Sequence, residues 1–247
     1  MLSTYKTSIH FVRTHPLFCA AMVAVLTGLE MYQQYRGDVS VGAAVPMLFL
    51  FYALHRALMF GETRFDKSPA GPARLAHLLR FAGSAAAIVA ATFAFAVLGV
   101  LIVEAATGWQ GMNTPFIIIA FALAYFLSLC LLGSCLPAAA AGDRSGKMLR
   151  RSISQAPRVL AHILIGPLLF YAVVIATAFY AVPAIGPIES TLGFQSPKIV
   201  IVFIMNAFSF FAMLLAVAAL CHAYRRVAPP EVLAAMGDHD PIVETFA

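Results

Sequence analysis

The sequence predicts an all-α polytopic membrane protein with six transmembrane helices. Three observations lead there. Of its 247 residues, 62% are hydrophobic and only 11% are charged, too little charge to cover the surface of a soluble domain. The apolar residues come in long blocks: no Asp, Glu, Lys or Arg occurs from Ala105 to Gly142, from Val159 to Ile188 or from Ile199 to Tyr224. A helix needs about 20 apolar residues to cross the hydrocarbon core. Ala, Leu, Phe and Gly dominate the blocks without period-2 alternation, which favours helices over a barrel.

The spans are expected at residues 16–32, 41–59, 76–105, 115–138, 157–182 and 198–224. The first is short, with 13 residues between Pro16 and Glu30, so it borrows its interfacial flanks. Lys6 and Arg13 precede it as in a signal peptide, but no A-x-A-like cleavage site follows. The third and fifth spans follow polar, basic segments and are expected to open at Pro72 and Pro157, because proline fits the first helical turn. The segment before Pro157 is expected to form a short surface helix, with Met148, Leu149 and Ile153 touching lipid headgroups. Its "GDRSGK" lacks the glycine spacing, preceding strand and Ser/Thr of a phosphate loop. Together the spans form a single domain over residues 1–226. A tail over 227–247 carries four acids and no base.

Basic residues set the orientation, because short cytoplasmic loops retain Lys and Arg. The N-terminal segment, the loops after spans 2 and 4 and the C-terminal segment hold 14 of the 16 basic residues. Only Arg36 and Lys198 fall on the other side. Both termini are therefore expected in the cytoplasm, and the localisation is expected to be a bacterial inner membrane. The net charge of +5 is read as attraction to an anionic inner leaflet. Nucleic-acid binding is disfavoured, since no aromatic residues interleave with the charges as stacking platforms. Cys19, Cys130, Cys135 and Cys221 all lie in spans, where a disulfide is not expected.

An internal repeat organises the spans. "PARLAHLL" from Pro72 recurs as "PRVLAHIL" from Pro157, and the register of 85 continues without a gap. Between residues 72 and 110, 14 of 39 positions match their partners. Five of the matches are not aliphatic: His77/His162, Thr92/Thr177, Glu104/Glu189, Gly108/Gly193 and Gln110/Gln195. The unit is a hairpin: a cytoplasmic His, a span, an outer loop reading E-x-x-x-G-[WF]-Q, and a return span. Spans 1–2 read as a third, decayed copy, giving hairpins at 10–62, 72–142 and 157–226. An acidic residue follows each return helix: Glu62, Asp143 and Glu231.

The repeated polar residues are the candidate site. Glu104 and Glu189, with Glu30, end the odd-numbered spans, where a carboxylate is poorly placed for the helix dipole. They are read as structuring the outer loops, with a ligand site of Glu30, Glu104, Gln110, Glu189 and Gln195 as the sharper alternative. His55, His77, His162 and His222 lie at predicted cytoplasmic helix ends. They are read as interfacial residues bonded to helix ends, with haem or metal ligation as the minority alternative. Thr92 and Thr177 lie near mid-span, where their hydroxyls can bond back to helix carbonyls or across a helix contact, and close helix packing is the preferred reading. Asn206 is the one amide deep in a span.

No catalytic motif occurs, and no cofactor is expected. The function expected first is that of a non-catalytic accessory, assembly or scaffold subunit of a membrane complex. The partners would be membrane lipids and other membrane-protein subunits, or further copies of this chain. A carrier or binding protein for a lipid or small apolar solute is the alternative. A haem- or metal-binding redox protein is the second alternative.

Overall fold

In the computed structural model, residues 2–36, 44–63, 72–107, 114–143, 146–170, 172 and 196–236 are described. Among them the chain is helical, with no strand. The helices are α1 (Leu2–Thr14), α2 (Pro16–Arg36), α3 (Ala44–Phe60), α4 (Pro72–Thr107), α5 (Thr114–Leu132), α6 (Cys135–Ala141), α7 (Met148–Ile163), α8 (Ser196–Arg225) and α9 (Pro230–Met236). Two of them, α4 and α8, are long and apolar enough to cross a membrane. The number rises to four if α1 with α2, and α5 with α6, each make one bent span. This is the build of an integral membrane protein.

Prolines set the breaks. Pro16 starts α2 after a 95° bend from α1, because the residue before a proline is pushed out of helical geometry. Pro72 opens α4, as its position predicts. The expected continuous span over 115–138 is instead broken by a 48° bend between α5 and α6. Pro137 explains it: it has no N–H for the carbonyl of Gly133, four residues back, and its ring crowds that carbonyl. Leu136 N–H takes the bond instead, at 3.1 Å.

Pro157 behaves differently from the expectation. It sits inside α7, which begins nine residues earlier at Met148. Ser152, Gln155 and Val159 are all buried, on one side of the helix before and after Pro157. Burial of that face keeps the helix continuous through the missing bond. A π-helical turn follows at Leu164–Leu168, around Pro167.

The chain forms two compact units. The first comprises Met1–Thr63 and Ala161–Ala219, the second Arg64–Leu160 and Leu220–Gly237. In the first, Phe11 packs edge-on to Phe18 at 5.8 Å. Tyr5 Oη donates to the carbonyls of Ile165 and Gly166 at 2.8 and 3.1 Å, so it serves acceptors that lie in the π turn.

In the second unit α5 and α6 pack along α4. Phe93 meets Phe121 edge to face at 5.2 Å. Phe81, Ile88, Thr92 and Ala96 form the buried stripe of α4, at the spacing of one helical face. Thr92 and Ser128 hydroxyls donate to the carbonyls of Ile88 and Ala124, both at 2.8 Å. Gly133 lets α8 come close: a Cβ there would lie 2.7 Å from the Leu220 Cδ2 methyl.

Candidate functional site

A carboxylate in an apolar helix is the first place to look for function, because it is costly there unless paired. Glu30 lies in α2, half-buried. Asn206 of α8 donates to Glu30 Oε2 at 2.7 Å. The same amide reaches Thr27 Oγ1 at 3.4 Å. Thr27 sits one turn before Glu30 and donates to the Val23 carbonyl at 2.9 Å. One carboxylate, one amide and one hydroxyl thus meet within the first unit. The group can hold a hydrogen-bonded ligand or simply tie α8 to α2.

The second polar group is a joint in the second unit. Asp143 follows α6, with 1% of its side chain exposed. It accepts from Tyr224 Oη and from Arg151 Nη1, both at 3.2 Å. Gly142, just before it, closes α6 at φ +75°, a left-handed conformation that favours glycine. The His77 ring lies against Gly142: a Cβ there would be 2.7 Å from His77 Cε1. Ser152 of α7 donates to the Leu131 carbonyl at 2.7 Å.

No family model, no curated protein and no solved structure matches the chain. The site is therefore read from its chemistry alone.

Of the expected ligand-site residues, Glu30 is engaged as described. Glu104 lies exposed near the end of α4. Gln110, Glu189 and Gln195 lie outside the described residues. So does Thr177.

The four histidines have separate surroundings. His55 is fully buried in α3 and its Nδ1–H donates to the Phe51 carbonyl of the same helix at 2.7 Å. His162 Nδ1 lies 3.2 Å from Thr4 Oγ1. His77 packs on Gly142. His222 Nε2 accepts from Arg226 at 3.3 Å. Among the described residues, no group of three His, Cys, Asp or Glu side chains stands together as metal ligands would.

Asn206 stands out in the sequence as a lone amide in an apolar span, but nothing along the chain marks its partner. The acids after the return helices stand out in the same way, and their roles depend on the fold. Glu62 is one of these: Arg56 Nε donates to Glu62 Oε2 at 2.9 Å, and a second bond joins Arg56 Nη2 to Glu62 Oε1. The Arg56 guanidinium also lies over the Phe60 ring, 4.1 Å from its centre. The signal was the position of a lone acid just past an apolar helix whose one charged residue is Arg56.

Two apolar grooves accompany these groups. One, of about 340 Å³, is lined by Phe170, Phe203, Ile204, Ala207, Phe208 and Phe211. The other, of about 250 Å³, lies between α4 and α5 around Ala96, Gly99, Ala120 and Ala124.

Proposed function

We propose that this is a non-catalytic integral protein of a bacterial inner membrane, working as an accessory, assembly or scaffold subunit of a membrane complex. On this reading it crosses the membrane six times as hairpins over 10–62, 72–142 and 157–226, with both termini in the cytoplasm.

The observation that carries the reading is the outer face of α4. Directly opposite its buried stripe, Gly83, Ala87, Ala90 and Ala94 are exposed at the spacing of a single helical face. Only 17% of the most apolar stretch of α4 is buried, against 44% for α8, so α4 presents most of its surface outward. Association between helices in lipid rests on close packing, and small residues permit it. A stripe of them on an exposed span suits a partner helix from another subunit. The engagement of Glu30 with Asn206, and of Asp143 with Tyr224 and Arg151, agrees with a structural role for the polar groups.

Purification in mild detergent tests this. The expected result is a complex that survives size exclusion, with Ala87→Leu plus Ala90→Leu releasing the chain as a monomer of unchanged thermal stability. A wild-type chain that always runs alone, with no co-purifying subunit, would remove the reading.

The aromatic groove around Phe208 favours a second reading, a binding protein for a lipid or small apolar solute. Apolar pockets with few polar groups are the usual form of such sites. A phospholipid or apolar probe that stabilises wild type but not Phe208→Ala would support it.

A further inference from the structure

Helix α7 presents three faces, one buried and two exposed. Its inner face holds Ser152, Gln155 and Val159, all buried. Ser152 is bonded to the end of α5 and Arg151 to Asp143, so the helix is anchored beside the α5–α6 joint. On the second face Leu149, Ile153 and Leu160 are exposed, at 54%, 49% and 38%. Steps of four and seven residues place them on one stripe. On the third face, next to that stripe, Arg150 and Arg158 are exposed, and Lys147 is exposed just before the helix begins; Arg158 Nη1 also donates to Gln155 Oε1 of the inner face at 3.1 Å. The helix contains no acidic residue.

We propose that α7 is an interfacial helix that docks this part of the protein onto anionic phospholipid headgroups. The inference stands on the two outer faces of α7 and on no feature of α4, so it fails or holds independently of the subunit reading. An amphipathic helix with apolar and basic faces side by side lies in the interface plane, with its apolar stripe in the acyl boundary. Here Leu149, Ile153 and Leu160 enter that boundary, and Lys147, Arg150 and Arg158 meet the phosphates. The charge is of one sign along the whole exposed polar face, which selects anionic lipid over zwitterionic lipid. Guanidinium groups suit this role, because their planar donors pair with phosphate oxygens in parallel. The position beside the bent end of α5 supplies the geometry. The helix begins shortly after the apolar α6 ends, so on this proposal it starts at the depth of the headgroups.

The test uses the full chain in two kinds of vesicle, phosphatidylcholine alone and phosphatidylcholine with phosphatidylglycerol in equal parts. A fluorophore is placed on Ile153→Cys in a chain whose four native cysteines are replaced by serine or alanine. The expected result is quenching by brominated acyl chains and protection from an aqueous quencher in the phosphatidylglycerol vesicles. As a second measurement on the unlabelled chain, native mass spectrometry counts retained phosphatidylglycerol. Arg150→Gln and Arg158→Gln should lower that retention, on the order of fivefold for each charge removed. A label open to the aqueous quencher overturns the proposal. So does a label shielded from both quenchers, which would mean a protein partner covers the face. Retention of phosphatidylglycerol that is unchanged in both arginine variants overturns it as well.

Discussion

Asn206 donates a 2.7 Å hydrogen bond to Glu30, joining residues 176 positions apart and tying α8 to α2. Asn206→Leu should lower stability by about 1–2 kcal/mol, the scale found for interhelical bonds in model membranes. Glu30→Gln keeps an acceptor oxygen for the amide and should cost less. Thermal unfolding in detergent ranks the two variants, and an equal or reversed ranking would show that the bond does not hold the helices.

Gly142 and Gly61 make a matched pair for a backbone test. Both have positive φ, +75° and +65°, so alanine strains both by about 1 kcal/mol. At Gly142 the new methyl would meet the His77 ring, whereas among the described residues nothing lies within 4 Å at Gly61. Gly142→Ala should therefore destabilise more than Gly61→Ala. Adding His77→Ala should recover part of the difference. If the second substitution deepens the loss, the contact with the ring is not the cause.

Tyr224 and Arg151 share the Asp143 carboxylate. Tyr224→Phe removes one donor and should cost about 1 kcal/mol. Asp143→Ala removes the acceptor from both and should cost more than Tyr224→Phe. A double-mutant cycle between Tyr224→Phe and Asp143→Ala should give a coupling energy of about 0.5–1.5 kcal/mol. Strict additivity would mean that the hydroxyl gains nothing from the carboxylate.

Arg56 and Glu62 form an ion pair with side chains 8% and 15% exposed. Removing the acid leaves a buried base without its countercharge, so Glu62→Gln should cost about 3 kcal/mol. The double replacement Arg56→Met with Glu62→Leu should cost less than Glu62→Gln alone. Chemical denaturation of the detergent-solubilised chain decides the order, and the opposite order would assign the pair a net stabilising role of its own.

Much of the helical layout was legible because it depends on short-range properties. Long charge-free blocks give the apolar helices. Pro72 opens α4 because of a missing N–H, and Thr92 bonds back to Ile88 as a threonine in a helix does. The breaks were less legible. The bend before Pro137 arises where two local preferences compete: the apolar block favours a continuous helix, and the proline denies the Gly133 carbonyl its α-helical donor four residues on, so it takes Leu136 N–H instead. At Pro157 the competition goes the other way, because a buried face spans the proline and holds α7 together.

The candidate site divides along the same line. Chain order marked Glu30, Asn206 and Asp143 as unusual, since polar side chains in or beside apolar helices need partners. It could not say which partners, because hydrophobicity is summed along a helix while a hydrogen bond needs two atoms about 3 Å apart. The meeting of Glu30 with Asn206, the sharing of Asp143 by Tyr224 and Arg151, and the seating of His77 on Gly142 depend on the crossing of distant helices. Composition and charge spacing settled that the chain is built of apolar membrane-type helices. Only the folded arrangement decided which polar group each helix brings to its neighbour.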